Sequence, residues 1–469
     1  MRFSAATMAE RLLPQRLALK ARPLLDRVDA VLFAADERGE AGRFSVIAFV
    51  IRVVSAVIAF VSQVLLARWM GSFEYGIFVL VWTTLIIAGN LSCLGFHTTV
   101  IRFIPEFRAK RMMAELRGVM LASRMFVLIA STLIAGAGAL AIWLLAPRIE
   151  SYYVVPFILG VVCLPMIALS DLLQGISRAN AWVFSALSPT YITRPLLILA
   201  FMAMALILGY EANAVTAVIA AILATYATTL VQLASVTSRV DGKVPPGPVR
   251  MDVRGWIVVS LPIFLVEGFF FLLTNADVLM VGAFLDPDRV AVYFAAVKTL
   301  ALVHFVYFAV KAGVAQRYAA FSHGDPEGLA VFARETVSWT FWPSLLMAVV
   351  VIVLGEPMLA LFGPEFTEGY PLLFLLVCGV VARSAVGPAE SLLTMSGHQN
   401  VCAGVYALTL ALNVLLSVLL IPVLGLWGAA IATTASMIFE AAALSFTVWR
   451  KLGITMVIFV PTPAAREAC

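Results

Sequence analysis

Long apolar runs, separated by short polar or Gly- and Pro-containing segments, recur along almost the whole chain. A membrane-spanning helix needs about 20 predominantly apolar residues, and runs of this length are typical of such helices. The pattern therefore predicts an all-α, polytopic membrane protein with about twelve spans. The predicted spans lie near residues 44–68, 75–99, 119–146, 152–176, 184–209, 212–238, 256–282, 290–315, 336–362, 370–396, 401–423 and 425–450.

One polar segment divides this series into two equal halves. It carries Pro245, Pro246 and Pro248, a cluster that no continuous helix tolerates, because proline lacks the backbone N–H and clashes with the preceding turn. The predicted domains are an N-terminal extension (1–43), a first six-helix lobe (44–238), a linker (239–255), a second six-helix lobe (256–451) and a C-terminal tail (452–469).

The two lobes look like repeats of one another. Residues 172–180 match residues 392–400 at a constant offset, and the turn at 71–75 has a counterpart at 286–293. Internal repeats of this kind are typical of transporters whose binding site lies between related halves. Because each half holds an even number of spans, the repeats have the same topology and are related by an axis along the membrane normal.

The composition excludes an ordinary soluble domain. Hydrophobic residues make up 62% of the chain and charged residues 13%, and the mean hydropathy is +1.01, against about 45–50% and about 25% in soluble domains. The net charge of +5 is explained by basic loops at a membrane, so we expect no nucleic-acid partner. The five cysteines show no CxxC spacing, and a disulfide framework or metal site is not expected.

Basic residues set the predicted orientation. The extension 1–43, the loop 102–117, the linker and residues 450–451 are rich in Lys and Arg, whereas the alternate loops carry Glu and Asp with few bases. By the positive-inside rule the basic loops face the cytoplasm. Both termini are then predicted to be cytoplasmic.

Several short motifs resemble the polysaccharide-transporter (Wzx-like) flippases. They include Leu65-Leu66-Ala67-Arg68-Trp69-Met70-Gly71, Glu74-Tyr75-Gly76, Arg102-Phe103-Ile104-Pro105-Glu106, Asn275-Ala276-Asp277 and Gly425-Leu426-Trp427-Gly428. Their order and spacing cover roughly residues 44–450. The resemblance implies the multidrug and oligosaccharidyl-lipid exporter superfamily, with a V-shaped, two-lobed helical fold around a central cavity. It further implies flipping of polyprenyl-pyrophosphate-linked oligosaccharides in the bacterial inner membrane.

Charged residues inside the predicted spans are the candidate functional residues, since each costs at least about 2.5–3.5 kcal/mol to insert and normally faces a cavity or a partner. A pyrophosphate is an anion that Arg binds in a bidentate manner. We therefore predict a cationic, substrate-binding lumen formed by Arg52, Arg194, Lys298 and Arg383. Candidate coupling or gating residues are Glu267, Asp277, His304, Lys311 and Arg102.

Two of the lumen residues also have a structural interpretation. Arg194, next to Pro195 and one turn from Pro189, is predicted at a bend, where it either contacts substrate or packs against carbonyls of a neighbouring helix. Arg383 and Glu390 share a helix face and form either a lumen-lining pair or a structural salt bridge.

The coupling and gating residues likewise allow more than one role. Arg52 and Glu267 occupy equivalent places in the repeats and would form a breakable or a static inter-lobe bridge, or Glu267 would be a proton site. His304 shares a face with Lys311 and is either a proton relay or a satisfied interior histidine. Asp277 would orient a cation, a sugar hydroxyl or a neighbouring helix.

Four charged residues fall near the predicted cytoplasmic ends of spans. Arg102, Arg124, Asp171 and Arg178 are expected to reach toward the membrane surface or lipid headgroups. Arg102 alone belongs to a family motif, at the predicted inner mouth.

Enzymatic signatures do not emerge from the chain. There is no GxxxxGK[ST] phosphate loop, no HExxH and no GxSxG, so the protein is not expected to be an enzyme or to hold a cofactor. Transport would then use a substrate gradient, the membrane potential, or coupled H⁺ or Na⁺.

Membrane lipids and the lipid-linked oligosaccharide are the expected partners, with a polysaccharide polymerase and glycosyltransferases as candidates. The competing functions are a cation-coupled small-molecule exporter, a membrane glycosyltransferase or polymerase, and a non-transporting scaffold of a polysaccharide assembly complex.

Overall fold

The computed structural model describes residues 37–242, 244–322 and 326–458, and within these ranges the chain forms helices and connecting turns without a β-strand. Most of the predicted extension and tail lies outside the described residues. The α-helices are α1 (Glu37–Ser92), α2 (Phe96–Ala109), α3 (Met113–Leu145), α4 (Ser151–Val161), α5 (Leu164–Ala179), α6 (Val183–Ser188), α7 (Arg194–Ile207), α8 (Ala214–Asp241), α9 (Val253–Leu273), α10 (Ala276–Phe284), α11 (Pro287–Ser322), α12 (Pro326–Ala360), α13 (Tyr370–Ser384), α14 (Ala389–Met395), α15 (Gln399–Leu424) and α16 (Leu426–Leu452).

Helix α1 is folded back on itself at Gly71. Its 56 residues would extend about 84 Å as one straight helix, far more than the about 30 Å of a bilayer core. Gly71 has φ 76° and ψ 170°, a conformation that glycine adopts without a Cβ clash. The Tyr75 hydroxyl donates to Gln63 Oε1 at 2.9 Å, which twelve residues of straight helix could not allow. Helix α1 therefore supplies two antiparallel spans.

The described residues contain ten apolar helical stretches long enough to cross a membrane, or eleven when α4 and α5, bent by 48°, count as one span. The first stretch, Val53–Ala109, contains the reversal at Gly71. Each of the twelve predicted spans overlaps one arm of α1, the bent α4–α5 pair or one of the other apolar stretches. The prediction of an all-helical, polytopic membrane fold is confirmed.

The two halves repeat local details as well as helix order. Tyr75 and Tyr293 are fully buried at corresponding turns. Tyr75 bonds to Gln63 on the preceding span, and the Tyr293 hydroxyl donates to Asp277 Oδ2 at 3.3 Å, again on the preceding helix. Both halves therefore contain a hydrogen bond from a buried tyrosine to a polar side chain of the preceding helical segment.

Loops of like charge lie at the same end of the bundle. At one end, which we call the basic end, the Arg117 guanidinium donates to the carbonyls of Pro245 and Pro248 at 2.8 and 2.9 Å and so holds the linker against α3. At the opposite, acidic end, Glu74 accepts a hydrogen bond of 2.7 Å from the Ala214 N–H.

The lobes are in close contact at the acidic end. The Arg68 guanidinium donates to the carbonyls of Leu361 and Ala360 at 2.6 and 2.7 Å, across the two lobes. A Cβ added at Gly76 would lie 1.8 Å from the Pro287 carbonyl oxygen, so the backbones touch there. In this conformation the acidic end is closed by the Arg68 hydrogen bonds and by the backbone contact at Gly76.

The contact at Gly76 predicts a sharp sensitivity to side-chain size. Gly76→Ala should lower the free energy of unfolding by about 1–3 kcal/mol, because the added methyl overpacks a rigid backbone contact. Gly404→Ala is the matched control, because Gly404 is also helical and has open space where a Cβ would lie. This substitution should leave the free energy of unfolding unchanged or raise it slightly. Denaturant unfolding in detergent micelles measures both variants. Equal stabilities would contradict the close inter-lobe contact.

Candidate functional site: a basic cavity between the lobes

A cavity of about 480 Å³ opens among α1, α2, α5, α7 and α11. Its lining includes five acidic or basic side chains: His97, Asp171, Arg178, Arg194 and Lys298. Lys298 comes from the second lobe and the other four from the first. The cavity thus lies where a ligand contacts both lobes at once.

Prolines create the local backbone that carries Arg194. Pro189 begins a π-helical turn, Pro189–Thr193, between α6 and α7. Because proline has no N–H, the Ser185 carbonyl loses its normal helical donor; the Gln232 side-chain amide replaces that donor at 3.2 Å. The irregular helix predicted before Arg194 takes the form of this π-helical turn within one continuous apolar stretch, Val183–Ile207, and turns of this kind are frequent at functional sites.

Arg194 is buried but only partly satisfied. Its side chain is 5% exposed, and one Nη donates to Ser170 Oγ at 3.0 Å. Ser170 in turn donates to Gln232 Oε1 at 3.0 Å. The Nε of Arg194 has no hydrogen-bond partner among the described residues, nor does any carboxylate there approach within ion-pair distance. A guanidinium that lines a cavity and has no carboxylate partner there is suited to an anionic oxygen.

The cavity carries more positive than negative charge. Arg178, Arg194 and Lys298 face it as three bases, against the single carboxylate of Asp171. Asp171 accepts a hydrogen bond from the Asn90 amide at 3.3 Å. Lys298 is exposed to the cavity, with its Nζ 4.6 Å from the centre of the Phe294 ring. The balance favours an anionic ligand.

Glu267 joins the lobes beside this cavity. The His97 Nε2 lies 3.1 Å from Glu267 Oε2, and the Thr98 hydroxyl donates to the same carboxylate oxygen at 2.8 Å. Glu267 therefore contacts the first lobe through His97 and Thr98 of α2, partners that the sequence did not predict. The side chain of Arg52, the predicted partner, lies outside the described side chains, so that pairing stays a prediction.

The second lobe holds a separate group of buried charges. Arg383 Nη2 lies 3.1 Å from Glu440 Oε1, and Lys311 Nζ lies 2.9 Å from Glu390 Oε1. The Tyr307 hydroxyl also donates to Glu390. Arg383 and Glu390 were predicted to form a lumen-lining pair or a structural salt bridge with each other. In the structure each of them pairs with a different partner.

The remaining predicted residues are dispersed. His304 bonds to the Leu300 backbone and lies near Arg383. Asp277 accepts a 2.9 Å bond from the Val278 N–H and is buried beside Tyr293. Arg102 is exposed on α2, 5.8 Å from the centre of the Phe103 ring. The structure thus brings Arg194 and Lys298 together, and places Arg383, Lys311 and His304 in the other group.

Sequence reasoning missed part of the site. His97, Asn90 and Gln232 carried no motif and no charge at mid-span, although each lies in an apolar run where a polar side chain is unusual. Asp171 and Arg178, which the sequence places near the membrane surface, line the cavity. Intramembrane amides and hydroxyls, as well as charges, would have been the signal to follow.

The family model described as "Polysaccharide biosynthesis protein" matches residues 43–315, more than half of the chain. The protein therefore belongs to this family, and the family resemblance noted in the sequence is confirmed. The MatE family model also matches, over residues 262–420. No curated protein is similar enough in sequence to count as a match.

Solved structures with the same fold include transporters of the MOP superfamily. An inward-facing multidrug resistance MATE transporter superposes with TM-score 0.67 at 15% identity, covering 86% of this chain and 98% of its own. The lipid II flippase MurJ, inward closed, gives 0.62 at 14%, covering 86% and 87%. A MOP superfamily transporter from Pyrococcus furiosus, described as having a binding pocket of reverse polarity, gives 0.63 at 16%, covering 90% and 97%. These likenesses establish the fold.

The buried pair in the second lobe predicts a large effect of removing one partner. Glu440→Ala should cost about 3–5 kcal/mol of unfolding free energy, because it leaves the buried Arg383 guanidinium without its carboxylate. Chemical unfolding in detergent measures the loss. Glu356→Ala is the control, since Glu356 is an exposed glutamate and should change stability by less than about 0.5 kcal/mol. The pairing is refuted by equal effects of the two substitutions.

Proposed function

We propose that the protein is a flippase that moves a polyprenyl-pyrophosphate-linked oligosaccharide across the bacterial inner membrane by alternating access. The observation that carries the proposal is the net basic cavity at the lobe interface, lined by Arg194, which has no carboxylate within ion-pair distance among the described residues. The family match supports a role in polysaccharide export. The lipid II flippase MurJ shares this fold, which supports a flipping function for this chain.

The pyrophosphate is the group that the cavity recognises. Arg194 supplies donors from the first lobe and Lys298 a point charge from the second, so the anion contacts both lobes. Arg178 adds a third base on the α5 side. Charge-assisted hydrogen bonds of this type are about twice as strong as neutral ones. The sugars occupy the remaining polar volume, and the isoprenoid tail stays in the lipid.

The lobes move by breaking different contacts at each end. In the present conformation the acidic end is closed through Arg68 and Gly76. On the predicted orientation this end faces outward, so the cavity receives substrate from the cytoplasm. Rocking the lobes would separate the Arg68 contacts and tighten the region around the Glu267–His97 pair.

The energy source follows from the substrate's charge. A membrane potential that is negative inside favours outward movement of an anion by about 2.3 kcal/mol per elementary charge per 100 mV. Both acids of the second-lobe group are paired with internal bases. We therefore infer that the potential drives transport, with H⁺ or Na⁺ coupling as the competing mechanism.

The competing function is cation-coupled export of small molecules, which the MatE match in the second lobe favours. A cationic drug would require acids in the cavity without compensating bases. The lining has one carboxylate and three bases, so an anionic substrate fits better. A glycosyltransferase, polymerase or scaffold function gains no specific support from this cavity.

The test is flipping of a fluorescent polyprenyl-pyrophosphate oligosaccharide in proteoliposomes. Arg194→Gln should lower the rate about 10- to 100-fold, because it removes a charged hydrogen-bond donor worth about 1.5–3 kcal/mol. The flipping rate of Arg194→Lys should lie between those of the wild type and Arg194→Gln, since lysine keeps the charge but cannot bind phosphate oxygens in a bidentate manner.

Arg254→Gln is the matched control, because Arg254 is exposed outside the cavity and should flip at the wild-type rate. Protein-dependent flipping that is insensitive to Arg194→Gln would keep the flippase and reject the site. Absence of flipping by the wild type, together with efflux of organic cations, would favour the exporter.

A further inference from the structure

A second cavity lies on the membrane-facing surface of the first lobe, separate from the basic cavity. It is a groove of about 320 Å³ between the α6–α7 segment and α8. Its rim carries Phe184 and Val231, which are 68% and 70% exposed. A groove with so apolar a rim, on a helix surface turned outward from the bundle, faces hydrocarbon chains.

The groove has the length of one membrane leaflet. On α8 its lining runs from Ala227 to Arg239, and the twelve steps between these two residues rise about 18 Å at about 1.5 Å each. Half of the hydrocarbon core is about 15 Å thick. One chain of a phospholipid lying along α8 therefore fills the groove from the basic end to near the bilayer centre.

A charged and aromatic pair marks the basic end of the groove. Arg239 lies in the last turn of α8, with its guanidinium 5.6 Å from the centre of the Trp182 ring. It donates to Ser185 Oγ at 2.8 Å, and no carboxylate forms an ion pair with it in the described ranges. Exposed arginines and tryptophans at helix ends are typical of the headgroup region.

The floor of the groove is polar and held in place. Gln232 lies there between the two cavities: its Nε2 donates to the Ser185 carbonyl, and its Oε1 accepts from Ser170, which also bonds Arg194. The same hydrogen-bonded chain that positions Arg194 in the basic cavity thus forms the back wall of the groove. These hydrogen bonds fix the position of Gln232 at the back of the groove.

We propose that this groove binds one anionic phospholipid of the bilayer, with an acyl chain along α8 and the phosphate at Arg239. The occupant is a phospholipid because the groove has the length of a leaflet and an exposed apolar rim, together with a cation at the headgroup level that has no carboxylate partner among the described residues. Charge complementarity selects an anionic headgroup over a zwitterionic one.

The test is native mass spectrometry of the full chain released from micelles containing palmitoyl-oleoyl phosphatidylglycerol or phosphatidylcholine. Wild type should retain one phosphatidylglycerol that resists release and retain phosphatidylcholine more weakly. Arg239→Gln should lower phosphatidylglycerol retention about tenfold, as expected for loss of a charge-assisted contact. Soluble glycerol phosphate should not displace the lipid, because it lacks the acyl chain.

A second variant tests the acyl-chain part of the groove and leaves Arg239 in place. Ser235→Phe fills the groove, whereas Ser238→Phe, at an exposed position of α8 outside its lining, is the matched control. Arg450→Gln is the control for charge, since Arg450 is an exposed arginine at the end of α16. Loss of the bound lipid in Arg239→Gln and Ser235→Phe but in neither control supports the site. Equal retention in all variants, or equal retention of both lipids by the wild type, overturns it.

Discussion

The structure depends on how each charge within the membrane is compensated, because hydrocarbon solvates neither a guanidinium nor a carboxylate. In the second lobe the compensation is internal: Arg383 pairs with Glu440, and Lys311 with Glu390. In the first lobe Arg194 has a hydroxyl partner but no carboxylate within ion-pair distance among the described residues, and it lines a cavity. This asymmetry is the basis for proposing the first-lobe group, and not the second, as the ligand-binding one.

Contacts between the lobes define the placement of the cavity. Lobe contacts at the acidic end include the backbone contact at Gly76 and the hydrogen bonds of the Arg68 guanidinium. Toward the basic end the lobes meet at Glu267, which bonds to His97 and Thr98, and at Gly95, where a Cβ would lie 2.5 Å from the Ser260 carbonyl oxygen. The cavity lies between these two sets of inter-lobe contacts.

The sequence predicted the helices and the linker, because each is encoded locally by apolar length or by proline. It also predicted Arg52, Arg194, Lys298 and Arg383 as one cationic group; the structure places Arg194 and Lys298 at the same cavity and Arg383 in the second-lobe group. It could not predict that Arg383 pairs with Glu440, since their separation of 57 positions in the chain carries no information about helix rotation. His97 was missed because its importance comes only from the approach of α9 to α2, a tertiary contact that local spacing does not encode.

The most direct test of this charge asymmetry is a cryo-electron microscopy map of the protein bound to a polyprenyl-pyrophosphate oligosaccharide in lipid nanodiscs. An anion-binding first lobe predicts pyrophosphate density within hydrogen-bond distance of Arg194, with the Arg383–Glu440 and Lys311–Glu390 pairs intact. Density for the pyrophosphate at Arg383, with Glu440 displaced, would contradict the division between a ligand-binding first lobe and an internally compensated second lobe.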